Sequence, residues 1–213
     1  MKKITVGFLL LFFAVASVEA QDFKKVRGLL LMNKTEDAKT ELDKLLADPK
    51  AAQSVEGSLL KAEIYGTVAG DPALSAKYPG ANEAAWVSLK KYLELEPTEV
   101  KLKEDNYKGV NSIYSSLFSQ GVKNYNEKSW DSAFSKFQVV AELGDLFTSR
   151  KWSTSAFDTT SYLYAGVTAQ NAKKDAEAAK YYGKIAEHKV VGQDYESLYD
   201  FLVKHYLNNK DEA

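Results

Sequence analysis

The chain of 213 residues contains no cysteine. That excludes disulfides, thiolate nucleophiles, thiolate metal sites and a lipid anchor on an N-terminal cysteine. Proline is scarce as well: Pro49, Pro72, Pro79 and Pro97 are the only four, and none follows Pro97. Proline removes a backbone donor and clashes with the preceding turn, so a long stretch without it suits helices. Histidine occurs twice, at 188 and 205, with neither the spacing nor the companions of a zinc site. His188 reads as a residue at a helix C-terminus, where a cation is mildly favoured.

The glycine-rich phosphate loops and the nucleophile elbow of serine hydrolases are missing too. Glu36-Asp37 and Glu104-Asp105 are adjacent carboxylate pairs. Adjacent positions on a helix point apart, so neither pair can share a proton. A two-carboxylate glycosidase, whose acid groups are brought together only by folding, is the enzymatic alternative left open. Charge of one sign is also absent: 28 basic and 29 acidic side chains give a net of −1. Non-specific binding to nucleic acid or to an anionic membrane needs a basic excess, so neither is expected as a partner. No cofactor or metal is expected.

One long hydrophobic run is present, and it is short for a membrane span. Lys2 and Lys3 precede an apolar stretch from Ile4 to Ala16, and Val18 and Ala20 stand at −3 and −1 of a small-residue cleavage site before Gln21. A spanning helix needs roughly 20 apolar residues. Residues 1–20 therefore read as a secretory signal peptide, removed in the mature chain. Export without cysteine fits a bacterial periplasm or cell envelope better than a disulfide-stapled secreted domain. Asn33-Lys34-Thr35 matches a glycosylation sequon but reads more simply as a polar turn between helices.

The remaining residues carry helical periodicity. Tyr107, Val110, Ile113, Tyr114, Leu117, Phe118, Val122 and Tyr125 recur at spacings of three and four and form one stripe. The same reading predicts helices over 22–33, 35–47, 53–68, 82–95, 99–126, 129–143, 157–172, 174–188 and 193–208. Asp158 is a predicted N-cap, and Gly144 and Pro97 are predicted stops. No segment alternates with a period of two, so the predicted class is all-α.

Two segments align with each other. In both, a glycine is followed twelve residues later by an alanine and four residues after that by an aromatic: Gly121, Ala133 and Phe137, then Gly166, Ala178 and Tyr182. Trp130 and Leu117 add large residues at matching places. Weaker copies place Ala38 and Ala85 in the alanine position, with Ala62, Tyr65, Leu89, Tyr92 and Pro97 around the second. These spacings resemble the tetratricopeptide repeat, in which small residues let two antiparallel helices approach closely. Asn124 stands where that family prefers tyrosine. The alanines are further apart than the family's unit of about 34 residues. The extra residues are assigned to a turn over 68–82, to the first helix of the third unit, and to the stretch from Gly144 to Trp152.

The resemblance implies a right-handed superhelical array of antiparallel helix pairs, a tetratricopeptide-like α-solenoid over 21–213. Its units fall at about 22–50, 53–97, 99–144 and 157–189, with a partial unit over 193–213. It further implies a non-catalytic scaffold or adaptor that binds a peptide or a helix of another protein in a concave groove. Carried over position by position, the groove residues are Phe118, Val122, Tyr125 and Asn126, then Leu163, Val167, Gln170 and Asn171. Four of these are apolar where the family's carboxylate-binding members hold lysine and asparagine, which argues against that mode. A carbohydrate-associated helical repeat protein is the competing expectation. Trp152, beside Arg150 and Lys151, reads either as a plug between repeats or as a recognition residue. Residues 193–208 read as apolar on nearly every face and Asp211-Glu212-Ala213 as the opening of a further helix, which predicts a shortened piece of a longer array.

The leader carries its own test. Expressed from Met1 in a Gram-negative host, the protein is expected in the periplasmic fraction with Gln21 at its N-terminus, read by mass spectrometry. Recovery of cytoplasmic protein that retains Met1 would overturn the assignment.

Overall fold

A computed structural model describes residues 23–209. The predicted leader and the Asp211-Glu212-Ala213 segment lie outside the described residues. All regular elements among the described residues are helical. They are α1 (23–31), α2 (Thr35–Leu45), α3 (Pro49–Ala52), α4 (Val55–Gly70), α5 (Pro72–Lys77), α6 (Ala81–Leu95), α7 (Val100–Glu104), α8 (Lys108–Asn126), α9 (Trp130–Ser149), α10 (Thr159–Asn171) and α11 (Asp175–Glu187). A short 3-10 turn, Gln193–Tyr195, precedes α12 (Glu196–Asn209). None of the described helices is long and apolar enough to cross a membrane.

The described residues divide into two compact units that meet between Ser116 and Leu117, within α8. In the first unit α4 is the central helix, packed against α2, α5 and α6. Its core gathers Phe23, Val26, Ala38, Leu42, Leu60, Ile64, Val68, Ala69 and Ala81. In the second unit α9, α10, α11 and α12 pack each against the next. Ala133, Phe134, Phe137, Tyr162, Ala165, Ala178, Tyr181, Tyr182 and Ile185 lie at the centre of that core.

The alanine positions read from the sequence are core positions: Ala38, Ala85, Ala133 and Ala178 are each 0% exposed. The glycine positions are close approaches. A Cβ on Gly121 would lie 2.8 Å from Cζ of Phe137, and one on Gly166 would overlap the Tyr182 ring. In both pairs the aromatic lies flat against a helix that has no side chain to hold it away.

The turn before each second helix is also repeated. Asn33, Lys128 and Lys173 have φ of 56°, 56° and 63°, and each lies five residues before a buried alanine. Each turn closes through the same two backbone bonds. Lys34 N–H reaches Leu29 O (2.9 Å), Ser129 N–H reaches Asn124 O (2.9 Å) and Lys174 N–H reaches Ala169 O (2.9 Å). The shorter bonds run from Asn33 to Leu30, Lys128 to Tyr125 and Lys173 to Gln170. This is the left-handed helix stop that satisfies the last free carbonyls and most often uses glycine. Here asparagine and lysine occupy it. At Ala85 the corresponding residue is Gly80, with φ of −87°, and the turn differs.

Three predicted boundaries are corrected. The segment over 99–126 is not one helix: α7 and α8 are separated at Asp105, Asn106 and Tyr107, the last two with φ of 50° and 57°. The predicted turn over 68–82 contains α5, because Pro72 occupies the first helical turn and Asp71 accepts from Ala73 N (2.8 Å) and Leu74 N (3.0 Å). Gly144 does not stop α9, which runs on to Ser149; its missing side chain makes room for Asp158, whose Oδ2 would lie 2.9 Å from a Cβ there. Asp158 itself caps α10 as predicted, accepting from Ser161 N at 3.1 Å.

Two substitutions test this packing in opposite directions. Gly166→Ala should lower stability by about 1–3 kcal/mol, because the buried Tyr182 ring has little room to yield. Lys128→Gly and Lys173→Gly should each raise it by about 0.5–1 kcal/mol, because glycine carries no penalty at positive φ. Urea unfolding followed by circular dichroism reads both, and a neutral or stabilising Gly166→Ala would contradict the close-contact account.

Candidate functional site

The groove residues read from the sequence lie on α8 and α10, within the second unit. Gly121 brings α8 onto α9, and Gly166 brings α10 onto α11. Tyr164 then joins the two first helices. Its ring stacks on Phe137 at 4.7 Å and meets Phe118 and Tyr125 edge-on at 5.6 and 5.8 Å. Phe118 also meets Phe137 edge-on at 5.5 Å, and Tyr125 meets Trp130 at 5.4 Å. Edge-to-face rings at these separations add about 0.5–1.5 kcal/mol each beyond their buried area.

Five of the eight residues, Phe118, Val122, Tyr125, Leu163 and Val167, are half-buried and packed against the core. They are part of the unit's packing as well as of its surface. Asn126, Gln170 and Asn171 are exposed. Tyr164 is not among the residues carried over from the repeat, yet it bridges the face. Its position one residue after Leu163 gave no signal, because the family's groove positions skip it.

The three carboxamides sit at the C-terminal ends of α8 and α10. Asn171 Nδ2 donates to Val167 O at 2.8 Å, which turns its Oδ1 outward. Gln170 Oε1 accepts from the buried Tyr182 hydroxyl at 2.9 Å, which leaves its amide nitrogen outward. A phenol at this depth needs an acceptor, and burial pushes the Tyr182 hydroxyl well above the ordinary tyrosine range. The eight residues carry no charge; of the charges nearby, Lys174 pairs with Asp131 at 2.9 Å and Lys123 with Glu127 at 4.0 Å, while Lys128 and Lys173 are exposed.

The residues considered for other chemistry are placed as follows. Trp152 is half-buried, with its indole edge-on to Phe147 at 5.9 Å. Arg150, Lys151 and Trp152 follow α9 directly, with Lys151 in a left-handed stop (φ 57°). His188 caps α11 and stacks on Phe157 at 3.9 Å; His205 stacks on Phe201 at 5.8 Å. Among the described residues no three side chains of the metal-binding types gather into a set that could hold an ion.

Two ionic clusters in the first unit were not read from the sequence. Lys39 is held by Asp43 at 2.7 Å between the rings of Tyr78 (4.2 Å) and Tyr65 (4.9 Å), while Glu36 accepts from Tyr78 and Lys77. Burial alone would lower the Lys39 ammonium; Asp43 and Tyr65 outweigh it and hold it above its ordinary range. The second cluster surrounds Glu56 and Glu63 on α4. Arg27 donates to Glu56 at 2.7 Å, and Lys101 pairs with the other oxygen. Burial alone would raise the Glu56 carboxyl; these two cations outweigh it and hold it below the usual carboxylate range.

Comparison with protein-family models, with curated proteins and with solved structures finds no match to this chain.

Proposed function

We propose that the protein is a non-catalytic scaffold of the bacterial periplasm or cell envelope that holds an uncharged, partly apolar peptide segment against α8 and α10. In this reading the fold is an array of the tetratricopeptide type, whose antiparallel helix pairs stack into a right-handed superhelix. Three recurrences support the repeat. The four alanines are buried, a glycine lies under an aromatic in two pairs, and one left-handed turn recurs five residues before three of the alanines.

The binding reading rests on one observation: the exposed edge of the α8–α10 face combines half-buried rings with three carboxamides and no charge. A peptide segment brings one amide donor and one carbonyl acceptor per residue, and leaving them unpaired on binding is unfavourable. Carboxamides supply both kinds of partner without charge. Gln170 offers a donor, Asn171 an acceptor and Asn126 either, beside the apolar strip of Phe118, Val122, Tyr125, Leu163 and Val167. A segment carrying a terminal carboxylate or a charged cluster would find no counter-ion among these eight residues.

Because Phe118 and Tyr125 also pack the unit, truncating them would lower stability together with binding. The test therefore uses the exposed amides. Selection from a phage-displayed random peptide library should enrich uncharged apolar sequences on the wild-type protein. Asn126→Ala and Asn171→Ala should each weaken the selected peptide by roughly three- to tenfold, as loss of one exposed hydrogen bond implies, with an unchanged melting temperature; Gln170 is left in place because the buried Tyr182 hydroxyl donates to it. Affinity that survives the double substitution refutes the assigned face. Glycan-array binding that depends on Trp152 would replace this reading with carbohydrate recognition.

A further inference from the structure

At the α7–α8 corner in the first unit a helix read as continuous from the sequence is broken. Leu102, Gly109 and Ile113 follow one another at spacings of seven and four, which lie on a single helical face. All three are buried. The chain nevertheless turns at Asn106 and Tyr107, both left-handed. Asparagine tolerates that conformation; in a tyrosine the Cβ crowds the following carbonyl, which disfavours it. The bend is closed by backbone bonds from Asn106 N–H to Lys103 O (3.1 Å) and from Tyr107 N–H to Leu102 O (2.9 Å). A straight helix would keep an amide bond for both residues and relieve the positive φ, which makes it the alternative arrangement of the same segment.

What lies under the bend is a carboxylate. The start of α8 sits directly on α4 at Glu63: a Cβ on Gly109 would lie 3.1 Å from Glu63 Cα, and one on Gly66 would lie 2.9 Å from an Ile113 side-chain carbon. Glu63 is 8% exposed, and among the described residues no hydrogen bond reaches its carboxylate. Lys108 Nζ, at 3.9 Å and itself exposed, is its ion-pair partner. The other cations of the cluster, Arg27 from α1 and Lys101 from α7, are taken by Glu56 one helical stretch earlier. Asp105, on the corner, faces Glu63 with the same sign.

We propose that the α7–α8 corner is a pH-responsive switch, in which neutral Glu63 keeps the corner bent onto α4 and ionised Glu63 releases it towards a continuous helix from Val100 through Ile113. The direction follows from the charges. Burial first, then Asp105, push the Glu63 carboxyl above its ordinary range, and Lys108 and Arg27 offset this only in part. The bent state therefore holds the Glu63 proton more tightly than a state in which the carboxylate meets water. As pH falls through the raised value the bent state gains; as pH rises through it the open state gains. The transition follows the raised Glu63 carboxyl, above its ordinary range.

Carbon chemical shifts of Asn106 and Tyr107 report the sign of φ directly. With Glu63 neutral, at the acid end of the folded range, both residues should show left-handed values. At about pH 8 a right-handed helical population should appear and grow several-fold, in the window that the Glu63 titration sets. Glu63→Gln removes the charge at nearly constant shape and should keep the left-handed values at both pH values. Tyr107→Gly removes the penalty of the bend by a separate route and should do the same. Two spin labels on cysteines introduced at Lys103 and Glu83, in a chain with no native cysteine, give a second readout as a pH-dependent change in distance. Shifts and distances independent of pH in the wild type, or an unchanged pH response in Glu63→Gln, would overturn the proposal.

Discussion

Close approach between helices is the constraint on which the second unit depends. Gly121 and Gly166 provide it by lacking a side chain where Phe137 and Tyr182 must lie flat. The buried alanines Ala133 and Ala178 continue it on the facing helices. Once α8 and α9, and α10 and α11, are this near, the rest of the core is determined. Tyr164 has one place to go, stacked on Phe137 and edge-on to two further rings. The half-buried face of α8 and α10 is the outer surface of that same packing.

The left-handed turns are the second element of the design. A helix that ends in this way returns at a defined angle and satisfies its last carbonyls without help from side chains. Asn33, Lys128 and Lys173 do this without glycine, and Lys151 and Lys189 adopt the same sign of φ after α9 and α11. Lysine at a helix C-terminus is favoured by the partial negative charge of the free carbonyls, which offsets part of the backbone penalty.

How much of this was legible in the sequence depends on whether a residue acts locally. The periodic stripes gave the helices, and the glycine-to-aromatic spacing gave the crossings, because both are set by geometry within one helix pair. Asp158 was readable as a cap for the same reason. Gly144 was misread as a stop because its function is to admit Asp158, a contact between residues fourteen apart that no local rule encodes. The stretch over 68–82 was read as a turn because a proline at a first turn and one at a helix end look alike without knowing where Asp71 points. The bend at Asn106 and Tyr107 was hidden because the apolar stripe continues through it. On the candidate face, Phe118, Tyr125, Gln170 and Asn171 were found only through the resemblance. Tyr164 and the charge cluster around Glu63 were missed, since they are made of residues whose importance lies in what folding brings beside them.

The turn before Ala85 shows what the short range of the crossings allows. There the left-handed stop is absent, and a stretch containing α5 stands in its place, yet Ala85 is as buried as its three counterparts. The interaction that holds a helix pair is satisfied within about one turn of each helix, so the connection between them is free to change length. Lengthening a loop costs little, about 0.6 kcal/mol for each doubling. A chain of this kind can acquire insertions between its contacts without disturbing them. Surface novelty can therefore accumulate in the connections while the helix crossings stay as they are.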